Sequence, residues 1–170
     1  MNVFDAVKTR RSIRAYQAKE VENEKLITIL NAARLSPSAN NNQPWAFLVV
    51  TDPQARDKLK QAYVKDWLAK APAIIVACAR PKDAWSRQDG EEYYKVDVAI
   101  AVQSMVLVAH ELGLETCYVA AFDEAKVKST LGIPDDVRVV LILPVGYPAE
   151  QKNAVKDRKG LEQIVHFEQW

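Results

Sequence analysis

Ala73-Ile74-Ile75-Val76-Ala77-Cys78-Ala79 is an apolar run without polar alternation. A strand wetted on one face alternates, whereas a continuous run marks a strand covered on both. Trp45-Ala46-Phe47-Leu48-Val49-Val50 has the same character and reads as another buried strand, ended by Asp52-Pro53. Glu115 to Val119 reads as a third strand. A fourth runs from Val137 to Leu143, with Val139-Val140-Leu141-Ile142-Leu143 as its apolar run and Pro144 closing it. Helical patterns stand between these strands, so helices cover both faces of the sheet. Strand and helix alternate less regularly than in a doubly wound fold, which predicts an α+β three-layer sandwich.

Working outward, Asn2 caps a short helix from Val3 to about Lys8, with Val3, Phe4 and Val7 on one face. Glu22 to Leu35 is amphipathic, with Leu26, Ile27, Leu30 and Ala33 as its stripe. Gln54 to Tyr63 reads as a surface helix and Asp66 to Lys70 as a further turn. Tyr93 to Leu112 is the longest helix, apolar on nearly all sides from Val96 to Val108 and ended by Gly113. A helix without a polar face is buried within a core or between two subunits. Asp123 caps a helix to Leu131, which Gly132-Ile133-Pro134 stops. Arg80 to Glu92 is polar, with turn signals at Pro81 and Asp89-Gly90, and reads as a mobile lid. Its Trp85, with Tyr93 and Tyr94, either reaches a substrate or packs at the base of the loop. The tail from Ala149 is polar until the short amphipathic segment Leu161-Glu162-Gln163-Ile164-Val165.

The chain has 170 residues, 49% hydrophobic and 26% charged, which suits one soluble domain spanning 1–170. A formal net charge of +1 gives no reason to expect nucleic acid or an anionic membrane as partner. Met1-Asn2-Val3-Phe4-Asp5 lacks a charged-then-apolar signal layout, which predicts a cytoplasmic protein. The apolar segment Ala99 to Leu112 is interrupted by Gln103, Ser104, His110 and Glu111 and is too short and polar to span a bilayer. Cys78 and Cys117 are far apart in sequence and read as reduced packing thiols.

Several chemistries lack their signatures. The glycines, at 90, 113, 132, 146 and 160, form no GxGxxG and no P-loop, and there is no GxSxG elbow. His110 and His166 have no metal-ligand spacing, so each reads as structural. An enzyme built on this chain leaves its chemistry to a cofactor.

Two stretches are candidates for holding one. Ser36-Pro37-Ser38-Ala39-Asn40-Asn41-Asn42-Gln43-Pro44-Trp45 sets four consecutive amide side chains between two prolines. Such a loop suits a flat heterocycle with alternating N–H and C=O edges, such as a flavin pyrimidine; otherwise it is a solvated polar loop. Arg10-Arg11-Ser12-Ile13-Arg14 gathers guanidinium groups and a hydroxyl, as a phosphate site does. The alternative is that these cations answer a helix dipole.

Arg10-Arg11-Ser12-Ile13-Arg14, then Pro37-Ser38-x-x-Asn41-x-Gln43-Pro44-Trp45, then Leu112-Gly113-Leu114 and a terminal Lys156-Asp157-Arg158 occur in that order. The pattern resembles the FMN-dependent nitroreductase family over essentially the whole chain. The resemblance implies an intertwined homodimer of α/β/α sandwich subunits, each with a central mixed sheet of four to five strands, and two FMN sites at the interface. It implies that Arg10 and Ser12, with Arg11 in the same cluster, hold the FMN phosphate and ribityl chain, and that Arg14 lies near the flavin N1–O2 edge. Pro37, Ser38 and Asn41 match loop positions that reach the cofactor from the partner chain. Lys156 and Arg158 match tail residues that return to the phosphate. Ala120-Ala121 stands where the family often has a glycine whose backbone N–H faces flavin N5; a backbone donor survives that change. Lys65 is a provisional match for a polar residue between the first two strands. The implied function is an oxidoreductase passing hydride from NADH or NADPH through flavin N5 to nitroaromatic, quinone or similar acceptors. Alternatives are a flavin-dependent dehalogenase or flavin-consuming enzyme on the same fold, a flavin-binding protein without turnover, or an interaction module.

Overall fold

The computed structural model describes residues 1–63 and 65–170. Its strands are β1 (Trp45–Val50), β2 (Ala73–Ala79), β3 (Glu115–Thr116) and β4 (Arg138–Gly146). Its helices are α1 (Val3–Thr9), α2 (Asn23–Arg34), α3 (Pro53–Lys58), α4 (Trp67–Lys70), α5 (Tyr94–Glu111) and α6 (Glu124–Leu131). The sheet order is β1-β2-β4-β3. Every pairing of these strands is antiparallel, so the expected mixed sheet is corrected. Among the described residues, a parallel element enters only at an isolated bridge between Ser12 and Thr116, beside β3.

β2 occupies the centre and is buried at every residue, as its apolar run predicts. Its side chains divide by parity. Ile75, Ala77 and Ala79 pack with Leu26 and Ile29 of α2 and with Val98 and Met105 of α5. Ile74, Val76 and Cys78 pack with Leu59, Leu68 and Val127 on the other face. Two cores on one sheet make the three layers. β1 is an edge strand, and Val50 alone is fully buried in it, so its reading as a buried strand is corrected.

β4 runs on through Pro144, which the sequence reading placed beyond its end. Ile142 exchanges both backbone hydrogen bonds with Val119, at 3.0 and 2.9 Å, so its N–H faces the β3 side. Two residues on, Pro144 has its missing N–H on that same side. The ladder to β3 breaks there: Glu115 and Thr116 pair with Gly146 and Val145, and pairing resumes only at Val119. One proline thus explains why the strand expected over 115–119 is split. At Gly146 a Cβ would lie 2.6 Å from Pro72 Cδ, so only glycine lets the chain pass.

The helices follow their caps. Asn2 Oδ1 accepts the Asp5 N–H at 2.9 Å, and Asp123 Oδ1 accepts the Lys126 N–H at 3.1 Å. Gly132 ends α6 with φ 66°. In α2 the buried residues are Leu26, Ile29 and Ala33, whereas Ile27, expected in the stripe, is exposed. α5 buries Val98, Ala101, Val102, Met105 and Val106 but leaves Val96 and Ile100 45% and 38% exposed, so one strip of it stays open in the single chain. Val3, Phe4 and Val7 of α1, and Leu161, Ile164, Phe167 and Trp170 of the tail, are exposed as well. In the expected lid, Trp85 packs edge-on against Tyr93 at 4.9 Å, and Arg87 forks onto Asp89. These two aromatics take the second of the two readings, packing at the base of the loop. Among the described residues no helix is long and apolar enough to cross a membrane.

Candidate functional site

At the β3 edge, α1 stops at Arg10 and the chain straightens beside the sheet, with the Ile13 N–H donating to Thr116 O at 3.0 Å. The tail returns along the same segment. Lys152 Nζ donates to Ser12 O at 2.7 Å, and Glu150 Oε1 accepts the Arg14 N–H at 2.7 Å. That bond holds the Glu150 carboxyl below its usual range, with Lys152 helping and partial burial opposing. Arg11 is spent on the fold: its guanidinium donates to Asn153 O, Lys8 O and Arg10 O. Among the described residues the guanidinium groups of Arg10 and Arg14 meet no carboxylate, and the Ser12 hydroxyl makes no hydrogen bond. Arg14 lies with its guanidinium 6.0 Å from the Trp67 ring centre, and Trp67 meets Tyr63 edge-on at 5.6 Å. Tyr16 donates to Ile13 O at 2.8 Å, and burial raises its phenol well above the ordinary range.

At the β1 edge lies the amide loop, and its backbone explains its composition. Asn40, Asn41 and Gln43 have φ of 51°, 56° and 50°. Asparagine tolerates this left-handed region better than other side chains, so the run of amides shapes the turn first. The Asn41 N–H donates to Ser38 O at 2.9 Å, Asn42 to Ala39 O at 3.1 Å, and Gln43 to Ser38 Oγ at 2.9 Å. Gln43 Nε2 closes the turn on Asn41 O at 3.1 Å, while the Asn41 amide makes no hydrogen bond among the described residues. Pro37 leads into this turn from Ser36, whose hydroxyl meets Ser104 Oγ at 2.7 Å.

Asp97, a residue not singled out in the sequence, fixes the loop to α5. Its Oδ1 accepts the Ala39 N–H at 2.9 Å, and the side chain is buried with Oδ2 unpartnered among the described residues. A carboxylate inside an otherwise apolar helix was the available signal. Glu150 and Lys152, which bind the tail to the arginine segment, carried no local signal.

The two candidate clusters do not meet within one chain. They lie at opposite edges of the sheet, one beside β1 and the other beside β3. The loop is anchored at Asp97 and α1 at His110, about 20 Å apart along α5 at 1.5 Å per residue. Ala120 and Ala121 are exposed just past Val119, on the arginine side. Lys65, Lys156 and Arg158 are exposed, and no side-chain hydrogen bond or ion pair joins them to either cluster among the described residues. A phosphate-bearing cofactor needs cations without internal partners, and a heterocycle needs free amide or hydroxyl groups. Arg10, Arg14, Ser12 and Asn41 are such groups, so the donor set fits FMN, with three of them at the β3 edge and one at the β1 edge.

The family model described as the nitroreductase family matches residues 7–67 and 60–147. A protein of Archaeoglobus fulgidus with the provisional name NADH dehydrogenase/NAD(P)H nitroreductase is 33% identical, covering 95% of this chain and 95% of its own. The solved structure of an FMN-dependent nitroreductase from Clostridium difficile R20291 is 33% identical and superposes with a TM-score of 0.86, covering 98% of this chain and 99% of that one. An iodotyrosine deiodinase of Thermotoga neapolitana is 26% identical, covering 88% of this chain and 90% of its own.

Proposed function

The chain belongs to the nitroreductase family, and from that premise we propose that it is a cytoplasmic FMN-dependent oxidoreductase, one domain spanning 1–170, working as an intertwined homodimer. The observation that carries this reading is the division of uncommitted donors between opposite edges of one sheet. Each edge is half a site, and a second copy supplies the other half. The open strip of α5 around Val96 and Ile100, the outer face of α1 and the apolar tail are the surfaces such a copy would cover.

FMN held there would supply the redox chemistry between NADH or NADPH and a nitroaromatic, quinone or similar small oxidised acceptor. The chain's residues bind and orient. Arg10 and Ser12 hold the phosphate end, with Arg11 fixing the backbone between them. Arg14 offers a cation to the pyrimidine end, where negative charge gathers on reduction. Pro37, Ser38 and Asn41 of the other copy reach the same cofactor, and the backbone at Ala120 and Ala121 offers donors beside it. Lys156 and Arg158 close on the phosphate once the tail lies against the partner. The free thiols Cys78 and Cys117, both buried, suit a reducing compartment.

The test is subunit exchange. Arg10→Ala and Asn41→Ala variants, each weak in flavin and in NADH oxidation, should regain one working site in each mixed dimer when refolded together. No recovery on mixing overturns the shared site, and a colourless wild-type protein overturns the flavin. The deiodinase relative favours a second reading, reductive removal of halogen from an aromatic substrate. Iodide release from iodotyrosine with dithionite as the two-electron reductant, without NAD(P)H oxidation by nitro or quinone acceptors, selects it.

A further inference from the structure

One imidazole secures both ends of the Arg10–Ser12 span. His110 Nε2 lies 2.8 Å from Thr9 Oγ1, and His110 Nδ1 lies 2.7 Å from Glu115 Oε1. Thr9 is the last residue of α1, directly before Arg10. Glu115 opens β3, directly before Thr116, whose carbonyl accepts the Ile13 N–H at 3.0 Å. The ring therefore fixes the residue before the span and, through β3, the residue after it.

The protons can be assigned. Thr9 Oγ1 also lies 2.6 Å from Asp5 O, and a carbonyl only accepts. The single hydroxyl proton goes to Asp5, so Nε2–H donates to Thr9. Hydroxyl, imidazole and carboxylate in line resemble an acyl-transfer relay, but a hydroxyl that gives its proton to a carbonyl is not activated by the ring. On the other side of the ring, Nδ1 faces the Glu115 carboxyl at 2.7 Å. The His110 and Glu115 side chains are only 13% and 15% exposed, so water competes weakly for the bond between them, while Thr9 stands at the surface. α1 needs such a tie. Within one chain it has 7 residues and buries only Ala6, too little to hold a short helix in place.

We propose that His110 is a positioning residue for the phosphate end of the flavin site, holding Arg10 and Ser12 at a fixed spacing through Thr9 and Glu115. The proposal rests on the reading that Arg10 and Ser12 bind the FMN phosphate. It separates affinity for the phosphate from affinity for the ring system, since the tie touches only the segment that meets the phosphate. A histidine that merely stabilised the fold would affect FMN and riboflavin alike.

The test measures dissociation constants of FMN and riboflavin, with thermal midpoints, for the wild type and for Thr9→Val, Thr9→Ser, His110→Leu and Arg10→Ala. Thr9→Val keeps the shape and removes the acceptor, so FMN affinity should fall about three- to tenfold, as for one lost hydrogen bond, with riboflavin unchanged. Thr9→Ser restores the acceptor and should match the wild type. His110→Leu should lose FMN affinity about tenfold or more, because both ties go. Equal losses of FMN and riboflavin in Thr9→Val, or no loss of either, overturn the proposal when Arg10→Ala still discriminates against FMN. If Arg10→Ala leaves the difference between FMN and riboflavin unchanged, the phosphate assignment itself has failed.

Discussion

The β3 edge and the β1 edge of the sheet each present polar residues that a sequence reader would assign to one ligand, yet the two are built on different principles. At the β3 edge the backbone is held by charged side chains, two of them from the returning tail and one from the segment itself. Glu150 takes the Arg14 N–H, Lys152 takes Ser12 O, and Arg11 takes three carbonyls. Arg10 and Arg14 are left over. At the β1 edge the loop is held mostly by its own atoms in left-handed turns, with Asp97 as its tie to α5. Free charge is the product of the first arrangement and a rigid neutral frame that of the second. A cofactor with an anionic tail and a neutral heterocycle needs one of each.

The largest effect should come from preventing the two edges from meeting. Ile100→Lys puts a cation on the open strip of α5, where the side chain is already 38% exposed in the single chain, so folding should survive. The variant should sediment as a monomer and bind FMN at least about a hundredfold more weakly, because half of each site is missing. A monomer that keeps its yellow colour and affinity would mean that one edge suffices.

A smaller effect separates frame from ligand in the amide loop. Asn41→Ala removes the amide and also forces a Cβ without a compensating polar group to φ 56°, a strain of about 1 kcal/mol. Asn41→Gly removes the amide and relieves the strain. If the amide binds flavin, both variants should lose about three- to tenfold in FMN affinity, and only Asn41→Ala should melt earlier. If Asn41→Gly binds FMN like the wild type, Asn41 serves the backbone alone. Asn40→Gly, at φ 51°, is the matched control and should bind normally.

How legible these edges were follows from how local their causes are. Caps at Asn2 and Asp123, the stop at Gly132 and the bounds of β1 and β2 lie within a few residues of the signals that set them. The motifs carrying the resemblance were legible too, since each is a short contiguous stretch. What failed depends on partners distant in sequence. Pro144 stays within β4 because its missing donor faces a gap in β3, which no local rule for proline can foresee. Ile27 and Ile29 are equally apolar, and only the position of α5 and the sheet decides that Ile29 is buried. His110 read as a lone structural residue because Thr9 is 101 positions away in sequence. The carbonyls that occupy Arg11 include Asn153 O from the returning tail, so its sequence neighbours alone could not reveal its commitment.

The smallest effect compares two hydrogen bonds of the same kind. The Arg14 N–H donates to Glu150 Oε1 at 2.7 Å, and the Gln43 N–H donates to Ser38 Oγ at 2.9 Å. One acceptor titrates in acid and the other does not. Bonding to the Arg14 N–H, then Lys152, keep the Glu150 carboxyl below its ordinary value against an opposing burial effect. A carboxyl depressed in the folded state contributes stability that is fully present above its unfolded value, near about 4.3, and is lost as pH falls through the lower folded value. Amide protection at Arg14 should therefore fall, relative to Gln43, as acid is added below about pH 4. The Glu150 side chain is 32% exposed, so solvent screening keeps the change small. Glu150→Gln keeps an acceptor and removes the titration, and its Arg14 protection should track that of Gln43 throughout. A parallel decline of both amides in the wild type would mean that the arginine edge is not held by Glu150, and that the charged frame assigned to it is wrong.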